Sequence, residues 1–358
     1  MSRLLILQDY LRHGGTESHS VWLASALRAA GVEAEILTFR PGGPLAKRAA
    51  DAGVPLASLQ KRDRGLDWFS PGLVKAVQAR KPDAVLLMGK MANARAGALR
   101  KALPKVRLVG SVRTGHKLPW LVRRALCVCD AIVCNSASVA ATLPGPGLPA
   151  KKVTVVLNPP VLIPGAADPE ARARVRAAQR ESESDRVMLC VAGFRKGKGQ
   201  DALIRALSHA PAFSRLVLWF VGDGESRAKC EALAAELDLG HRVRFFGHVP
   251  DPREIYLAAD FAVMASEAES LPNFLVEAQL HGLPVVAVDV GGVKETFLPG
   301  ESGVLVPAGD EPALLAACLG FAEDSARLAA FSRRAREWAP TVFSEAAALA
   351  AYRRVFGF

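Results

Sequence analysis

The chain has 358 residues, half of them apolar and 23% charged, with 30 Gly and 23 Pro, a composition that excludes a disordered protein. Single hydrophobic cores rarely grow beyond roughly 250 residues, so two domains are expected. The net charge of +11 is held unevenly: residues 1–157 carry 24 Lys and Arg against 9 Asp and Glu, a balance of +15 that leaves −4 for the remainder. A basic half suits an anionic substrate, an anionic membrane surface or nucleic acid. Aromatic residues make up only 6% and none is spaced regularly among the basic ones, which disfavours nucleic acid. The first ten residues lack the apolar length of a secretion signal, and no run approaches the ~20 apolar residues of a membrane span; a cytoplasmic location is expected.

In chain order, strands are predicted at residues 4–7, 35–39, 84–88, 106–112, 131–134 and 153–157. Between the first two, Val21, Leu23, Ala24, Leu27 and Ala30 recur at helical spacing and Gly31 supplies the stop, giving a β-α-β unit. Residues 158–167 (NPPVLIPGAA) are rich in Pro and without period, and read as a linker between a first domain at 1–160 and a second at 165–339. The second half repeats the pattern at 188–192, 216–221, 243–246, 261–265, 284–288 and 303–306. Strands alternating with helices indicate two doubly wound α/β domains with parallel sheets, whose ligands bind beyond the carboxyl ends of the strands. The six cysteines fit no zinc or redox spacing and are expected as buried thiols, with Cys127 and Cys129 on one face of a strand.

The loops after those strands hold the chemistry. Residues 266–282 (SEAESLPNFLVEAQLHG) pass from a strand through a polar loop into a helix with Pro272 near its first turn and Gly282 at its end. The N–H groups of Asn273 and Phe274 then offer a site for a phosphate or a sugar oxygen. Glu277, one turn further, can accept two ribose hydroxyls, and Glu269 can reach a transferred sugar. Residues 191–200 (VAGFRKGKGQ) set Arg195, Lys196 and Lys198 among glycines, where cations can meet the charge that grows on a departing diphosphate. RHGGTE at 12–17 permits a tight turn into a helix N-terminus, and its spacing is not that of a dinucleotide fingerprint. RTGH at 113–116 offers His116 to a sugar hydroxyl or phosphate and Arg113 to an anionic acceptor; Lys90, Asn93 and Arg95 are further acceptor-side candidates.

Taken in order, GGTE, VCNS at 133–136, VTVVLNPP at 153–160, the Lys198-Gly199 pair, VGDGESR at 221–227, RVRFFGHV at 242–249, the Glu269/Glu277 pair and LPVVAVDVGGVKE at 283–295 resemble retaining glycosyltransferase family four, the group 1 glycosyl transferases. The resemblance implies the GT-B fold, two Rossmann-like doubly wound domains facing a central cleft, with acceptor bound by the first and nucleotide-sugar donor by the second. It implies that Lys198 holds the diphosphate, that Glu269 binds the donor sugar and Glu277 the ribose, with backbone from Leu271, Pro272, Asn273 and Phe274 alongside. His248 and Val249 would meet the base and Gly15 the phosphates. A C-terminal helix at about 340–358 would return to the first domain.

The sequence departs from the family at Gly193, where many relatives carry Arg and for which Arg195 is the substitute, at Ser270, where Gly is usual, and at Asn158-Pro159 in place of Asn-Gly. No DxD motif is present to hold a metal. The resulting expectation is a metal-independent, retaining hexosyltransferase with no cofactor. Its donor is a nucleoside-diphosphate sugar, UDP first, and its acceptor an anionic, lipid-linked saccharide at the inner membrane face, in envelope polysaccharide or lipopolysaccharide assembly. A sugar-nucleotide epimerase of the same fold and a non-catalytic nucleotide or nucleic-acid binder are the alternatives.

Overall fold

The computed structural model describes residues 2–160, 168 and 170–358. Among these, thirteen strands build two sheets. The first contains β1 (Arg3–Gln8), β2 (Glu33–Thr38), β3 (Leu56–Ser58), β4 (Ala84–Met88), β5 (Arg107–Val112), β6 (Ala131–Cys134) and β7 (Val153–Val155), in the order β3-β2-β1-β4-β5-β6-β7. The second contains β8 (Arg186–Val191), β9 (Leu216–Val221), β10 (Val243–Phe245), β11 (Phe261–Met264), β12 (Val285–Val288) and β13 (Gly303–Val306), in the order β10-β9-β8-β11-β12-β13. Every pairing between these strands is parallel.

The strands are nearly continuous apolar runs because both faces of each sheet are covered by helices. Along β1 the period of two is plain: Leu4 and Ile6 enter one buried cluster, Leu5 and Leu7 another. Along β8, Val187 and Leu189 part from Met188 and Cys190 in the same way. Each sheet therefore lies between two apolar layers.

Two compact units result, Met1–Val161 with Ser344–Phe358, and Leu162–Phe343. The final helix, Glu345–Phe356, joins the first unit by placing Tyr352, Val355 and Phe356 in the cluster that holds Leu4 and Ile6. Burial of such side chains stabilises by about 1.5–3 kcal/mol each. The return begins at Ser344, later than position 340, because helix Ser325–Val342 runs through Pro340 before it ends. Ser344 then caps the final helix by accepting from the Ala347 N–H at 3.4 Å. Only residues 158–160 of the Pro-rich segment, with position 168, lie among the described residues.

Two local expectations are corrected. The edge strand β3 is three partly exposed residues, too short for a periodicity to announce it. Cys127 caps helix Trp120–Leu126 and Cys129 lies in the following turn, so neither is on a strand. All six cysteines are free thiols, five buried and Cys127 partly exposed.

Strand order reverses direction between β1 and β4 in the first sheet and between β8 and β11 in the second. At such a point the two flanking connections depart to opposite sides and leave a crevice at the carboxyl edge. The RHGGTE loop follows β1, while the Lys198 and Glu269 loops follow β8 and β11.

Candidate functional site

In the second unit, three loops are laced together at the carboxyl edge. Gly199 has φ +70°, and a Cβ there would lie 2.0 Å from the Ala265 carbonyl oxygen, so only glycine lets the Lys198 loop lie against the loop after β11. The Glu267 N–H donates to the Gly197 carbonyl at 2.9 Å. From the other side Gly291, φ +53°, brings the loop after β12 so close that a Cβ would sit 1.8 Å from the Glu269 carbonyl oxygen. These contacts put Lys198 Nζ 2.5 Å from Glu269 Oε1, both side chains largely enclosed. Cys190, at the end of β8, has its thiol pushed up to about 12 by burial and carries no charge here.

Beyond Glu269 the chain runs through buried Ser270, Leu271 and Pro272 into helix Asn273–Leu280. Pro272 stands at the cap position, with φ −72° and no N–H of its own, so the first helical N–H groups belong to Asn273 and Phe274. Glu277 is 7% exposed and accepts from the Tyr256 hydroxyl at 2.9 Å. His281 caps the helix and Gly282, φ +76°, ends it. The glycine loop after β8 is tied to those after β9 and β10: the Phe194 N–H donates to the Asp223 carbonyl at 3.0 Å and the Gly222 N–H to the Gly247 carbonyl at 2.8 Å. Gly193, exposed His248 and half-buried Val249 thus follow neighbouring strands. Arg195 is exposed, while Phe194 beside it is 1% exposed in the core.

Lys198, Glu269, the start of helix Asn273–Leu280 and Glu277 form one constellation: a cation, two carboxylates and helix-terminal N–H groups at a topological switch point. Among the described residues, no group of three His, Cys, Asp or Glu side chains is placed to hold a metal ion.

The first unit carries the acceptor-side candidates. Gly15 opens helix Gly15–Ala29, as its position after β1 requires. His116, however, is exposed, and its backbone N–H donates to Thr114 Oγ1 at 3.2 Å. The enclosed group is Arg113, whose guanidinium donates to the Tyr352 hydroxyl at 3.4 Å and to Asn158 Oδ1. Burial lowers the pKa of Arg113, and the Tyr352 hydroxyl offsets part of that. Tyr352 also meets His19 Nε2 at 2.8 Å, and burial followed by the nearby Arg113 charge holds His19 well below its ordinary pKa. His19, Tyr352, Arg113 and Asn158 make a buried polar chain linking the first helix, the last helix, the loop after β5 and the segment after β7. Asn93 is also structural: it is buried, donates to the Ser111 carbonyl at 2.7 Å and accepts from the Ser111 N–H at 3.3 Å. Arg95 donates to the Trp68 carbonyl, and Lys90 is exposed.

Tyr256, His281, His19 and Tyr352 were not legible as site-supporting residues. Their only signal is a polar ring within an otherwise apolar helical stripe, and that pattern does not say which partner it meets.

Residues 13–159 match the family model described as Glycosyltransferase Family 4, and residues 171–338 that described as Glycosyl transferases group 1. Over 344 residues the chain is 28% identical to the lipopolysaccharide core biosynthesis glycosyltransferase LpsE of Rhizobium meliloti (strain 1021), with 95% of each chain covered. It is also 28% identical to the 2-deoxystreptamine glucosyltransferase of Streptomyces kanamyceticus, over 94% of this chain and 97% of that one. Among solved structures, Anabaena HepE in complex with UDP-glucose matches at a TM-score of 0.87 and 21% identity, over 100% of both chains. Sucrose-phosphate synthase from Thermosynechococcus elongatus matches at 0.82 and 22%, again over 100% of both. One family model falls within each unit, and the two parallel Rossmann-like sheets are those of the GT-B fold. The chain is a glycosyltransferase of the GT-B fold and belongs to family four, with a group 1 second half.

Proposed function

We propose that this enzyme moves a hexose, with retained anomeric configuration and without a metal ion, from a nucleoside-diphosphate sugar to an anionic, lipid-linked saccharide. The observation that carries the donor half is the pairing of Lys198 with Glu269 beside the start of helix Asn273–Leu280, with Glu277 one turn in. Lys198 and the helix N–H groups meet the negative charge that develops on the leaving diphosphate, so they stabilise the transition state more than the bound donor. Exposed Arg195 adds a second cation where the family arginine is replaced by Gly193. Glu269 accepts hydroxyls of the donor sugar, Glu277 those of the ribose, and the backbone near His248 and Val249 meets the base. The acceptor oxygen forms the new glycosidic bond on the face that the diphosphate leaves. The bond from the anomeric carbon to the phosphate oxygen breaks with its electron pair on the phosphate, which takes the acceptor proton.

Uridine is the first candidate base because HepE was solved with UDP and with UDP-glucose. An anionic acceptor in lipopolysaccharide or envelope polysaccharide assembly is supported by the role of LpsE in lipopolysaccharide core biosynthesis and by the charge of the first unit. Exposed His116, in the loop after β5, is the acceptor-side candidate, and Arg113 behind it is held by Tyr352 and Asn158.

The test is a thermal-shift screen of UDP-, GDP-, ADP- and CMP-sugars, since a true donor raises the melting temperature by mass action. Transfer with that donor is then followed by NMR in the presence of EDTA. Lys198→Ala is expected to lower kcat/KM by about 10²–10³, the usual loss for one group that stabilises developing charge. Glu277→Ala is expected to raise the donor KM. Inverted product, abolition of transfer by EDTA, or native turnover in both variants each count against the proposal.

A further inference from the structure

Tyr256 lies in helix Arg253–Ala258, just ahead of β11, and its side chain is fully buried. Its hydroxyl donates to Glu277 Oε2 at 2.9 Å. Its ring stacks on His281, with centroids 4.7 Å apart and planes inclined by 17°. His281 Nδ1 lies 2.8 Å from the backbone carbonyl oxygen of the same Glu277, so this nitrogen carries the proton and donates. Two stacked rings therefore hold Glu277 at both ends, one by its carboxylate and one by its carbonyl. Burial and the adjacent carboxylate push the Tyr256 hydroxyl well above its ordinary pKa, which keeps it protonated and donating.

A glutamate has three side-chain torsions, and without a partner its carboxylate samples several planes. Accepting two neighbouring ribose hydroxyls needs one plane, held within tenths of an ångström. A donor fixed to Oε2 from a neighbouring helix removes that freedom before the nucleotide arrives. We propose that Tyr256, with His281 stacked against it, is the positioning residue that sets Glu277 for the ribose, and that this pair makes the site select ribo- over 2′-deoxyribonucleotides. The inference rests on the ribose role proposed above for Glu277.

Calorimetric binding to the full chain separates the two claims. The probes are the diphosphate among UDP, GDP and ADP that raises the melting temperature most, and its 2′-deoxy form. The proteins are native, Tyr256→Phe, Glu277→Gln and the double variant. Tyr256→Phe is expected to weaken the ribonucleotide about tenfold and its 2′-deoxy form less than about threefold, as loss of one charge-assisted hydrogen bond implies. In turnover the loss falls on the donor KM rather than on kcat. In the Glu277→Gln background Tyr256→Phe should add nothing, because the two residues act through one contact. If Glu277→Gln loses affinity and ribose preference while Tyr256→Phe keeps both, Tyr256 only packs and the inference is overturned. If Glu277→Gln binds like the native chain, the ribose reading itself falls. Should Tyr256→Phe fail to fold, His281→Phe keeps the stacked rings and removes the bond to the Glu277 carbonyl. A reduced ribose preference in that variant supports the inference, and an unchanged one overturns it.

Discussion

Gly291 shows how one missing side chain places a carboxylate. Its φ of +53° alone disfavours other residues, and a Cβ would also overlap the Glu269 carbonyl oxygen at 1.8 Å. Gly309, φ +79°, has the same conformational demand with nothing within 4 Å. Gly309→Ala should therefore cost only the backbone penalty, more than about 0.4–1 kcal/mol, and leave turnover unchanged. Gly291→Ala adds a displacement of the loop that carries Glu269, so its kcat/KM should fall about tenfold or more by the ~1 Å sensitivity of positioned groups. Unfolding curves and kinetics of the two variants check this; equal turnover in both would show that the Gly291 contact does not position Glu269. The glycine was readable in the DVGG run, whereas the carbonyl it approaches 22 positions earlier was not. Local pattern names residues able to adopt a turn, and only the folded chain says what each turn approaches. Glu269, Glu277 and Lys198 were legible as a set because each follows a strand end. Tyr256 and Arg113 acquire their roles from partners 21 and 239 positions away.

The elements themselves were readable because parallel strands buried on both faces must be apolar runs, as in the LVLWFV of β9. Helix Ala171–Ala178 is held by something less visible. Arg176, 1% exposed, donates to Asp260 Oδ2 at 2.6 Å, and Arg172 donates to Oδ1 at 2.9 Å. The Val187 N–H of β8 also donates to Asp260 Oδ2, at 2.7 Å. One carboxylate thus ties a helix to the start of β8 and the entrance of β11. Asp260→Ala strands the Arg176 cation in the interior, and removing one partner of a buried pair costs about 3–5 kcal/mol. Arg334 and Glu301, 2.7 Å apart but with side chains 43% and 56% exposed, form the contrasting surface pair. Arg334→Ala should shift stability by less than about 1 kcal/mol. Denaturant unfolding of both variants decides the matter; comparable losses would mean that Asp260 is not the tie the distances indicate.

At the scale of the whole molecule the two units carry opposite charge. With its returning helix the first unit holds 26 Lys and Arg against 10 Asp and Glu, or +16, which leaves −5 for the second. The first unit also exposes apolar side chains that a monomer gains nothing by exposing: Trp68 at 58%, Trp120 at 66% and Leu121 at 60%. Trp68 follows β3 and the Trp120–Leu121 pair follows β5, and since the sheet is parallel both depart from its carboxyl edge. Exposed Lys61, Arg62, Arg64, Lys117 and Arg124 accompany them. Aromatic and aliphatic side chains among cations at the edge proposed for the acceptor suit a lipid-linked substrate held in an anionic bilayer. Among the described residues no helix is long and apolar enough to cross a membrane, so such binding would be interfacial. The acceptor proposal therefore predicts that the chain sediments with phosphatidylglycerol vesicles more than with phosphatidylcholine vesicles, and less so at high salt. Trp120→Ser with Leu121→Ser should weaken vesicle binding about tenfold or more, since each buried side chain of this size is worth roughly 1.5–3 kcal/mol. The melting temperature should hold, because neither side chain is in the core. Equal sedimentation with both lipids would remove the membrane from the proposal and leave the positive charge to serve an anionic acceptor free in water.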